Sequence, residues 1–388
     1  MKTFGRANLD QWLLDPAVTY LNHGTVGATP KRVLARQQQL RDEMERNPAR
    51  FLLRELSNSS NVSPGRERVR EAAASVAEFL GAHGEDLGFV HNATHGVAAV
   101  LRSLAFAPGD EVLILEHAYG AVHFAVDATA TAAGARVVTV ALPFPLTSPA
   151  DAIAALARAV TNKTKLAVVD HITSGSALLL PIRDIVRALR ERGVPVLVDG
   201  AHVPGAIALD LVDIDADWYV GNLHKWMWTP RSCGFVWARK DRTRAVRGPV
   251  VSWGTMGGLA AELDWQGTLD PTPALAAPEA IAMMRELGVD DVRAWNHALA
   301  WRTGNALAQH FGTRVGGSKD VTGTMICVEL PRRLGSTRED MVRVRDRLLA
   351  EHAIEIHLAP RAGSLWARIS AQIYLADGDV MRLAPAVD

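Results

Sequence analysis

An aspartate and a lysine that follow two apolar segments are the residues whose types and spacing most directly indicate chemistry. Asp199 follows the apolar run in VPVLVDGAHVPG, and Lys225 lies 26 residues later in DADWYVGNLHKWMWTPRSCGFVW. A lysine amine that is partly deprotonated can form a Schiff base, and a carboxylate can pair with the nitrogen of an electron-accepting pyridine ring. Either residue alone is common at such a position. Together, they point to a cofactor with a carbonyl group and a pyridine ring.

The elements that must position these residues form a predicted parallel sheet. Between residues 87 and 238, short apolar segments alternate with alanine-rich segments of helical period, which is typical of a mostly parallel sheet covered by helices on both faces. We predict strands over residues 87–91, 111–115, 136–140, 165–170, 194–199, 217–220 and 234–238. We predict helices near residues 94–104, 120–133, 150–159 and 182–192.

Ligands of such sheets bind outside the carboxyl ends of the strands. This rule directs attention to residues 91–94, 116–119, 170–174, 199–202 and 222–225. Beyond residue 251 the pattern changes, with helices predicted near 278–286 and 292–311 and strand-like runs at 324–330 and 354–358, which indicates a smaller α+β domain. We therefore divide the chain into an N-terminal arm (1–17), a large domain (18–264) and a small C-terminal domain (265–388).

The bulk composition favours a small-molecule enzyme. The 388 residues are 48% hydrophobic, enough for two packed domains, and 42 basic residues balance 42 acidic ones, so no net field attracts nucleic acid or an anionic membrane. We predict no membrane span, since no run reaches about 18 apolar residues. The two distant cysteines, Cys233 and Cys327, argue against a disulfide framework or a metal site, and with the absence of a signal peptide they predict a cytoplasmic protein. A nicotinamide enzyme is disfavoured because no G-x-G-x-x-G turn follows the first strand.

Eight segments, in this order along the chain, resemble the class V aminotransferase family of pyridoxal 5′-phosphate (PLP) enzymes of fold type I. The resemblance is to its isopenicillin N epimerase-like and cysteine C–S lyase branch. The segments are YLNHGTVGATP (20–30), FVHNATHGV (89–97), LEHAYGAV (115–122), DHITSGSALLLPI (170–182), VDGAHVPGAIALDL (198–211), GNLHKWMWTPRSCGF (221–235), WQGTLDPTP (265–273) and LWARISAQIY (365–374). The resemblance implies an α/β fold whose large domain has a mostly parallel seven-stranded sheet, beside a smaller α+β C-terminal domain.

The resemblance also implies how PLP is held. Lys225 is expected to form the Schiff base, Asp199 to pair with the pyridine nitrogen, and His202 to hydrogen-bond the phenolic oxygen. Thr173 and the neighbouring Ser174 are candidates for contact with the ring or that oxygen. The phosphate is expected at the start of a helix, where unpaired N–H groups and the dipole favour an anion. Its candidate ligands are Asn92, Ala93, Thr94, Asn222 and His224.

Other implied residues surround the ring and the substrate. Either His117 or Tyr119 stacks on the cofactor, and the spacing to the following glycine favours Tyr119. Arg368 is expected to clamp the substrate α-carboxylate, because its guanidinium is a bidentate donor that keeps its charge. Asn22 and His23 are weaker candidates for substrate contact.

A threonine suggests a shared site. Thr268 resembles the residue with which family members reach the cofactor phosphate of the neighbouring subunit, which implies a homodimer with active sites shared between subunits. For Thr268, a role as an ordinary turn residue is an equal alternative.

The outcome of the reaction is less constrained than the cofactor. Family desulfurases carry a nucleophilic cysteine shortly before the carboxylate-binding arginine, whereas HLAPRAGSLWAR has none. We favour a C–S β-lyase acting on a cysteine-derived amino acid, which needs no enzyme thiol. An amino-acid epimerase comes next and would need a second acid/base, for which His23 or Tyr119 are candidates. An aminotransferase comes third, and a catalytically silent PLP-fold binding protein is the non-enzymatic alternative.

Overall fold

The computed structural model describes residues 2–57 and 67–388. Met1 of the predicted N-terminal arm and residues 58–66 of the predicted large domain therefore lie outside the described residues. Within the described part, a seven-stranded sheet forms the centre of the larger half. In spatial order its strands are Leu87–Val90, Gly234–Ala238, Trp218–Asn222, Val196–Asp199, Thr164–Asp170, Glu111–Leu115 and Arg136–Val140. The predicted strands are confirmed, with shifts of one or two residues at their ends.

The large sheet is mostly parallel and buried on both faces. Gly234–Ala238 runs antiparallel to both of its neighbours, whereas the other described pairs are parallel. Continuous apolar strands are expected where helices cover both faces of a sheet. Strand residues such as Leu113 and Val198 are accordingly fully buried. The strand ends at Asp170 and Asp199 are in register, which brings their polar residues to one edge.

Two helices that cover the large sheet begin at residues whose side chains accept hydrogen bonds from the first free N–H groups. Asn92 accepts a hydrogen bond from the backbone N–H of His95, and Ser148 accepts one from Ala150, as N-cap side chains commonly do. The α-helices before residue 265 are His23–Val26, Lys31–Arg46, Pro48–Arg50, Arg68–Phe79, Ala93–Arg102, Gly120–Ala133, Pro149–Ala159, Ile182–Arg190, Leu211–Ile214 and Leu259–Asp264. The four helices predicted around the sheet are confirmed.

The smaller half is built on a second sheet. Within the described residues this sheet has three antiparallel strands, in the order His357–Arg361, Ser364–Ser370 and Met325–Glu329. Its α+β character is confirmed, although the strand that carries Arg368 was not predicted. The α-helices after residue 265 are Thr272–Leu275, Ala277–Leu287, Val289–Phe311, Arg338–His352, Asp377–Met381 and Leu383–Val387. Across the described residues, no helix combines the length and the apolar character that a membrane crossing requires.

The N-terminal segment joins the two halves. Strand Thr19–Tyr20 pairs in parallel with Ile354–Glu355, and Asn22 forms an isolated bridge with Ser370 of the small sheet. On the other side, Thr29 donates a hydrogen bond to the carbonyl of Thr229, which follows Lys225 closely. The segment that contains residues 19–29 therefore contacts both halves next to the cavity described below.

Candidate active site

A cavity of about 260 Å³ lies at the carboxyl ends of the large-sheet strands and reaches the small sheet. The position agrees with the general rule for ligand sites in open α/β sheets. Most of the residues predicted from the sequence line it. They are Asn92, Ala93, Thr94, Tyr119, Ser174, Asp199, His202, Asn222, His224, Lys225 and Arg368.

Lys225 follows strand Trp218–Asn222 and extends into this cavity. Its Nζ lies 3.3 Å from Nε2 of His202. Burial lowers the pKa of Lys225 to about 7, the positive charge of Arg368 acts in the same direction, and Asp199 opposes both. A large fraction of the amine is therefore neutral near pH 7, the state in which an amine attacks a carbonyl.

Asp199 supplies a buried carboxylate to the same cavity. It is the last residue of strand Val196–Asp199, and its Oδ1 accepts a hydrogen bond of 2.9 Å from the backbone N–H of Ala201. Burial raises the pKa of Asp199, while the Ala201 N–H and the charge of Lys225 lower it. A protonated ring nitrogen beside Asp199 would supply a second positive charge, in addition to that of Lys225, to pair with this carboxylate.

Two histidines beside the lysine are neutral. Burial lowers the pKa of His202 well below its usual value, with a further contribution from the positive charge of Lys225. Burial also lowers the pKa of His224 to about 4, although its hydrogen bond to the Cys233 carbonyl opposes the shift. That bond, of 2.8 Å, makes Nδ1 of His224 the donor. Among the described residues, Nδ1 of His202 is buried without a hydrogen-bond partner.

The helix Ala93–Arg102 begins at the cavity, where the free N–H groups of a first helical turn favour an anion. The side chain of Asn92 caps the helix through the His95 N–H, and Asn222 Oδ1 accepts a hydrogen bond of 2.8 Å from Ala93 N. Asn222 therefore fixes the start of the helix, a role the sequence did not reveal. The Thr94 residue lines the cavity within the first turn, where the helix dipole favours a phosphate.

Arg368 lines the same cavity and is buried, with 1% of it exposed. Its Nη1 donates a hydrogen bond of 2.6 Å to the carbonyl oxygen of Ser174. Its Nη2 donates hydrogen bonds of 2.7 Å to Thr25 Oγ1 and of 3.4 Å to Asn22 Oδ1. Burial lowers the pKa of Arg368 to about 10, so the guanidinium remains charged at neutral pH. A fixed, charged donor group of this kind suits a carboxylate.

Of the two ring candidates after strand Glu111–Leu115, Tyr119 lines the cavity and His117 does not. Tyr119 is 49% exposed. His117 is buried, with its Nδ1 2.6 Å from Ser176 Oγ and its ring against Phe144. The geometry therefore agrees with the preference for Tyr119.

Four other predicted residues lie outside the cavity lining. Thr173 is fully buried, and its hydroxyl contacts Ser176 Oγ at 2.7 Å. Thr268 is exposed in the loop that follows Trp265. Asn22 and His23 are one step removed from the cavity, because Asn22 contacts Arg368 and His23 contacts the backbone of Lys225.

His23 connects the lysine to Tyr374, which follows the last strand of the small sheet. Its Nε2 lies 3.0 Å from the carbonyl oxygen of Lys225, and its Nδ1 lies 3.0 Å from the hydroxyl of Tyr374. Burial lowers the pKa of His23 to about 4, so the ring is neutral. Gly27 permits this close approach, since it has φ of 71° and a side chain there would overlap the His224 carbonyl.

Three polar residues of the cavity lining had no predicted role. Thr25 lies in the N-terminal segment, Asp170 ends the strand beside Asp199, and His357 pairs with Arg368 across the small sheet. Asp170 did fall in a segment that the strand-end rule selected. His357 gave no signal, because its position depends on the pairing of two strands.

The sequence model of the family described as aminotransferase class-V matches residues 19–380, nearly the whole chain. The chain belongs to the class V aminotransferases. The resemblance inferred from the eight segments is confirmed.

Relatives of this class V aminotransferase include proteins of two groups. A probable chloroplastic L-cysteine desulfhydrase of Arabidopsis thaliana is 32% identical over 403 residues, covering 96% of this chain and 83% of the relative. An isopenicillin N epimerase of Streptomyces clavuligerus is 30% identical over 395 residues, covering 97% and 96%. Both groups belong to the branch that the sequence segments indicated.

A solved structure has the same fold. It is a mutant of C-DES with glycine covalently linked to its PLP cofactor, and it matches with a TM-score of 0.78 at 20% identity over 98% of each chain. At this identity the likeness concerns the fold of this class V aminotransferase.

The residues present in the cavity fit PLP. Its edge holds a helix start for a phosphate, a carboxylate for a ring nitrogen and a largely neutral amine for an aldehyde. Within the described part of the chain, buried Nδ1 of His202 and Nε of Arg368 have no hydrogen-bond partner, which a polar ligand would remedy.

Proposed function

We propose that this class V aminotransferase is a PLP-dependent C–S β-lyase that acts on a cysteine-derived amino acid. The observation that carries the proposal is the convergence of Lys225, Asp199 and Arg368 in one cavity at the carboxyl ends of the large sheet. These residues supply an amine, a carboxylate and a guanidinium, which are the groups that a PLP enzyme needs for the cofactor aldehyde, the ring nitrogen and the substrate carboxylate. The relatives named L-cysteine desulfhydrase support the substrate class.

Each end of the cofactor has a designated set of residues in this proposal. Thr94 and the first turn of helix Ala93–Arg102 hold the phosphate, with Asn222 and His224 beside them. Asp199 holds the ring nitrogen and His202 the phenolic oxygen. Tyr119, which also lines the cavity, would cover the ring face. Bound PLP supplies the capacity to stabilise negative charge at the α-carbon of an attached amino acid.

The chain's own residues then carry out binding and proton transfer. Arg368 binds the α-carboxylate and holds the amino acid in one orientation, with its position fixed by Thr25 and Ser174. With PLP and an amino acid bound, the Lys225 amine, whose pKa as a free amine is about 7, would accept the proton from the substrate α-carbon. Loss of this proton would allow the bond between the β-carbon and the sulfur to break, with the sulfur leaving as a thiolate. From L-cysteine and one molecule of water, the products would be sulfide, pyruvate and ammonia.

The two cysteines support a lyase over a persulfide-forming desulfurase. Cys233 and Cys327 are both buried, and neither lines the cavity. Burial raises the pKa of each thiol to about 12, so neither forms the thiolate that would attack a substrate sulfur.

Amino-acid epimerisation is the second candidate, favoured by one observation. An epimerase needs a second acid/base besides Lys225, and Tyr119 and His357 both line the cavity. His23, the other candidate from the sequence, is separated from the cavity by its contacts with the Lys225 carbonyl and Tyr374. The relative named isopenicillin N epimerase agrees with this alternative.

The decisive experiment combines a visible spectrum with product analysis. We expect purified protein to show the absorption of a PLP Schiff base, which Lys225→Ala abolishes and Lys163→Ala, an exposed control, retains. Incubation with L-cysteine, cystine and cysteine S-conjugates is then assayed for pyruvate, ammonia and α-deuterium exchange. Pyruvate formation supports the lyase. Inverted stereochemistry with deuterium exchange and no pyruvate would transfer the assignment to an epimerase, and a silent binding protein would bind PLP without turnover.

We also propose a homodimer in which Thr268 reaches the cofactor phosphate of the other subunit. Its support is the exposure of Thr268 in a loop that does not line its own chain's cavity. Sedimentation should give twice the chain mass, and Thr268→Ala should weaken PLP binding more than Thr255→Ala does. Equal PLP affinity in both variants would contradict the shared site. A cytoplasmic location remains part of the proposal, supported by the two free thiols.

A further inference from the structure

Two carboxyl groups share the wall of the cavity beneath the proposed ring site. Asp170 and Asp199 end adjacent parallel strands and are paired in register, so their side chains leave the sheet on the same face. Both line the cavity and are 3% and 5% exposed. Asp199 has the proposed role of pairing with the ring nitrogen, whereas Asp170 has no role in the proposed mechanism.

Two buried carboxyl groups in such proximity do not both ionise at neutral pH. Their like charges repel, and burial penalises each charge separately. The pKa of Asp170 is raised well above its usual value, by burial first and by the charge of Asp199 second. One proton is therefore retained by the pair.

The surroundings decide which carboxyl group keeps the proton. Asp199 receives a hydrogen bond from the Ala201 N–H and faces the positive end of Lys225, and both favour its ionised form. For Asp170, the stabilising contribution comes from its own backbone N–H. The asymmetry assigns the proton to Asp170 and the negative charge to Asp199.

The remaining charged and titratable neighbours do not reverse this assignment. On the Asp199 side, Tyr219 and His202 are buried and neutral, because burial raises the pKa of the tyrosine and lowers that of the histidine. His171, which follows Asp170, is neutral as well, because burial lowers its pKa to about 3. Glu116 follows the neighbouring strand and lies 3.6 Å from His117 Nε2.

We propose that Asp170 is a positioning residue, held as a neutral carboxylic acid so that the pair presents one negative charge, on Asp199, to the cofactor ring nitrogen. The part that concerns the ring nitrogen rests on the proposed function. If both carboxyl groups were ionised, their two negative charges would stabilise the ammonium form of Lys225 and raise its pKa. With a single negative charge, the amine of Lys225 stays neutral more readily and can accept a proton.

Infrared spectroscopy of the holoenzyme tests the proposal without relying on activity. A protonated carboxylic acid has a carbonyl stretching band that a carboxylate lacks. The spectrum should be recorded at about pH 8, because the other buried carboxyl group with a raised pKa, Asp264, has a value of about 6 and is ionised there. We expect the band in the wild type, its loss in Asp170→Asn and its retention in the exposed control Asp127→Asn.

One further variant and one further measurement keep the outcome decisive. If Asp170→Asn does not fold, Asp199→Asn provides the test: the band persists if the proton is on Asp170 and disappears if it is on Asp199. If Asp170 is neutral, Asp170→Asn replaces one neutral group by another and should change the PLP dissociation constant by no more than about twofold. If Asp170 is ionised, the same variant removes an attractive charge and should weaken PLP binding by about tenfold or more.

Absence of the band in the wild type, or its loss in Asp199→Asn alone, would overturn the proposal. The failure of the lyase assignment is distinguishable from this result. A protein that binds PLP but forms no pyruvate contradicts the proposed function and leaves the infrared band of Asp170 unchanged.

Discussion

Replacement of Lys225 by methionine should change the pH dependence of stability in the apoenzyme. Burial lowers the pKa of the lysine from 10.5 to about 7 in the folded protein. Between these two values the unfolded chain binds a proton that the folded chain does not, so the stability of the wild type rises with pH. Methionine has a similar shape and cannot bind that proton. The Lys225→Met apoenzyme should therefore lack this rise.

The magnitude follows from the size of the shift. One pKa unit corresponds to about 1.4 kcal/mol, so the contribution between pH 7 and 9 is about 2 kcal/mol after allowance for half-protonation at pH 7. The positive charge of Lys225 also lowers the pKa of Asp199. Removal of the lysine charge raises the pKa of Asp199 further, so the stability of the variant falls as the pH increases. This effect adds to the first one, because both increase the free-energy difference between wild type and variant as the pH rises.

Urea unfolding of both apoenzymes at pH 7, 8 and 9 measures the difference, with the free energy obtained by linear extrapolation. The exposed Lys163→Met variant serves as the control and should follow the wild type. A free-energy difference between wild type and Lys225→Met that stays constant over this range would refute the claim that the lysine is buried with a lowered pKa.

Three further predictions concern the remaining groups of the site. Asp199→Asn should keep the visible absorption of Lys225-bound PLP but lower kcat on the order of a hundredfold, because a carboxylate placed for developing charge is lost; an unchanged kcat in steady-state assays would contradict it. Arg368→Lys should raise KM for the amino acid about tenfold with a smaller change in kcat, since a point charge cannot replace the fork held by Thr25 and Ser174. Cys327→Ala should leave pyruvate formation unchanged and reduce the free energy of unfolding by roughly 1 kcal/mol, whereas loss of activity would revive a thiol mechanism.

The large sheet could be predicted because its strands carry a strong local signal. Runs such as those before Asp170 and Asp199 are continuously apolar, and the general rule for parallel sheets places the following residues at one edge. This reasoning brought Asp199, His202, Asn222 and Lys225 to one site before any coordinates were considered. The family resemblance then gave each residue an expected role.

The residues that sequence reasoning did not find depend on long-range pairing. His357 enters the cavity because its strand pairs with the strand of Arg368, and Thr25 enters because the N-terminal segment crosses from one half to the other. Neither contact has a local pattern. The choice between His117 and Tyr119 had the same origin, since both follow one strand and only the path of the turn decides which ring faces the cavity.

The buried His23 also constrains how the active site can move. Its imidazole contacts both the hydroxyl of Tyr374, near the end of the chain, and the backbone carbonyl of Lys225. The ring therefore forms a rigid link between the two halves. A rotation of the segment that carries Tyr374 would displace His23 and, through it, the backbone of the lysine. Movement of the C-terminal half would therefore reach the backbone of the lysine through a neutral side chain that does not line the cavity.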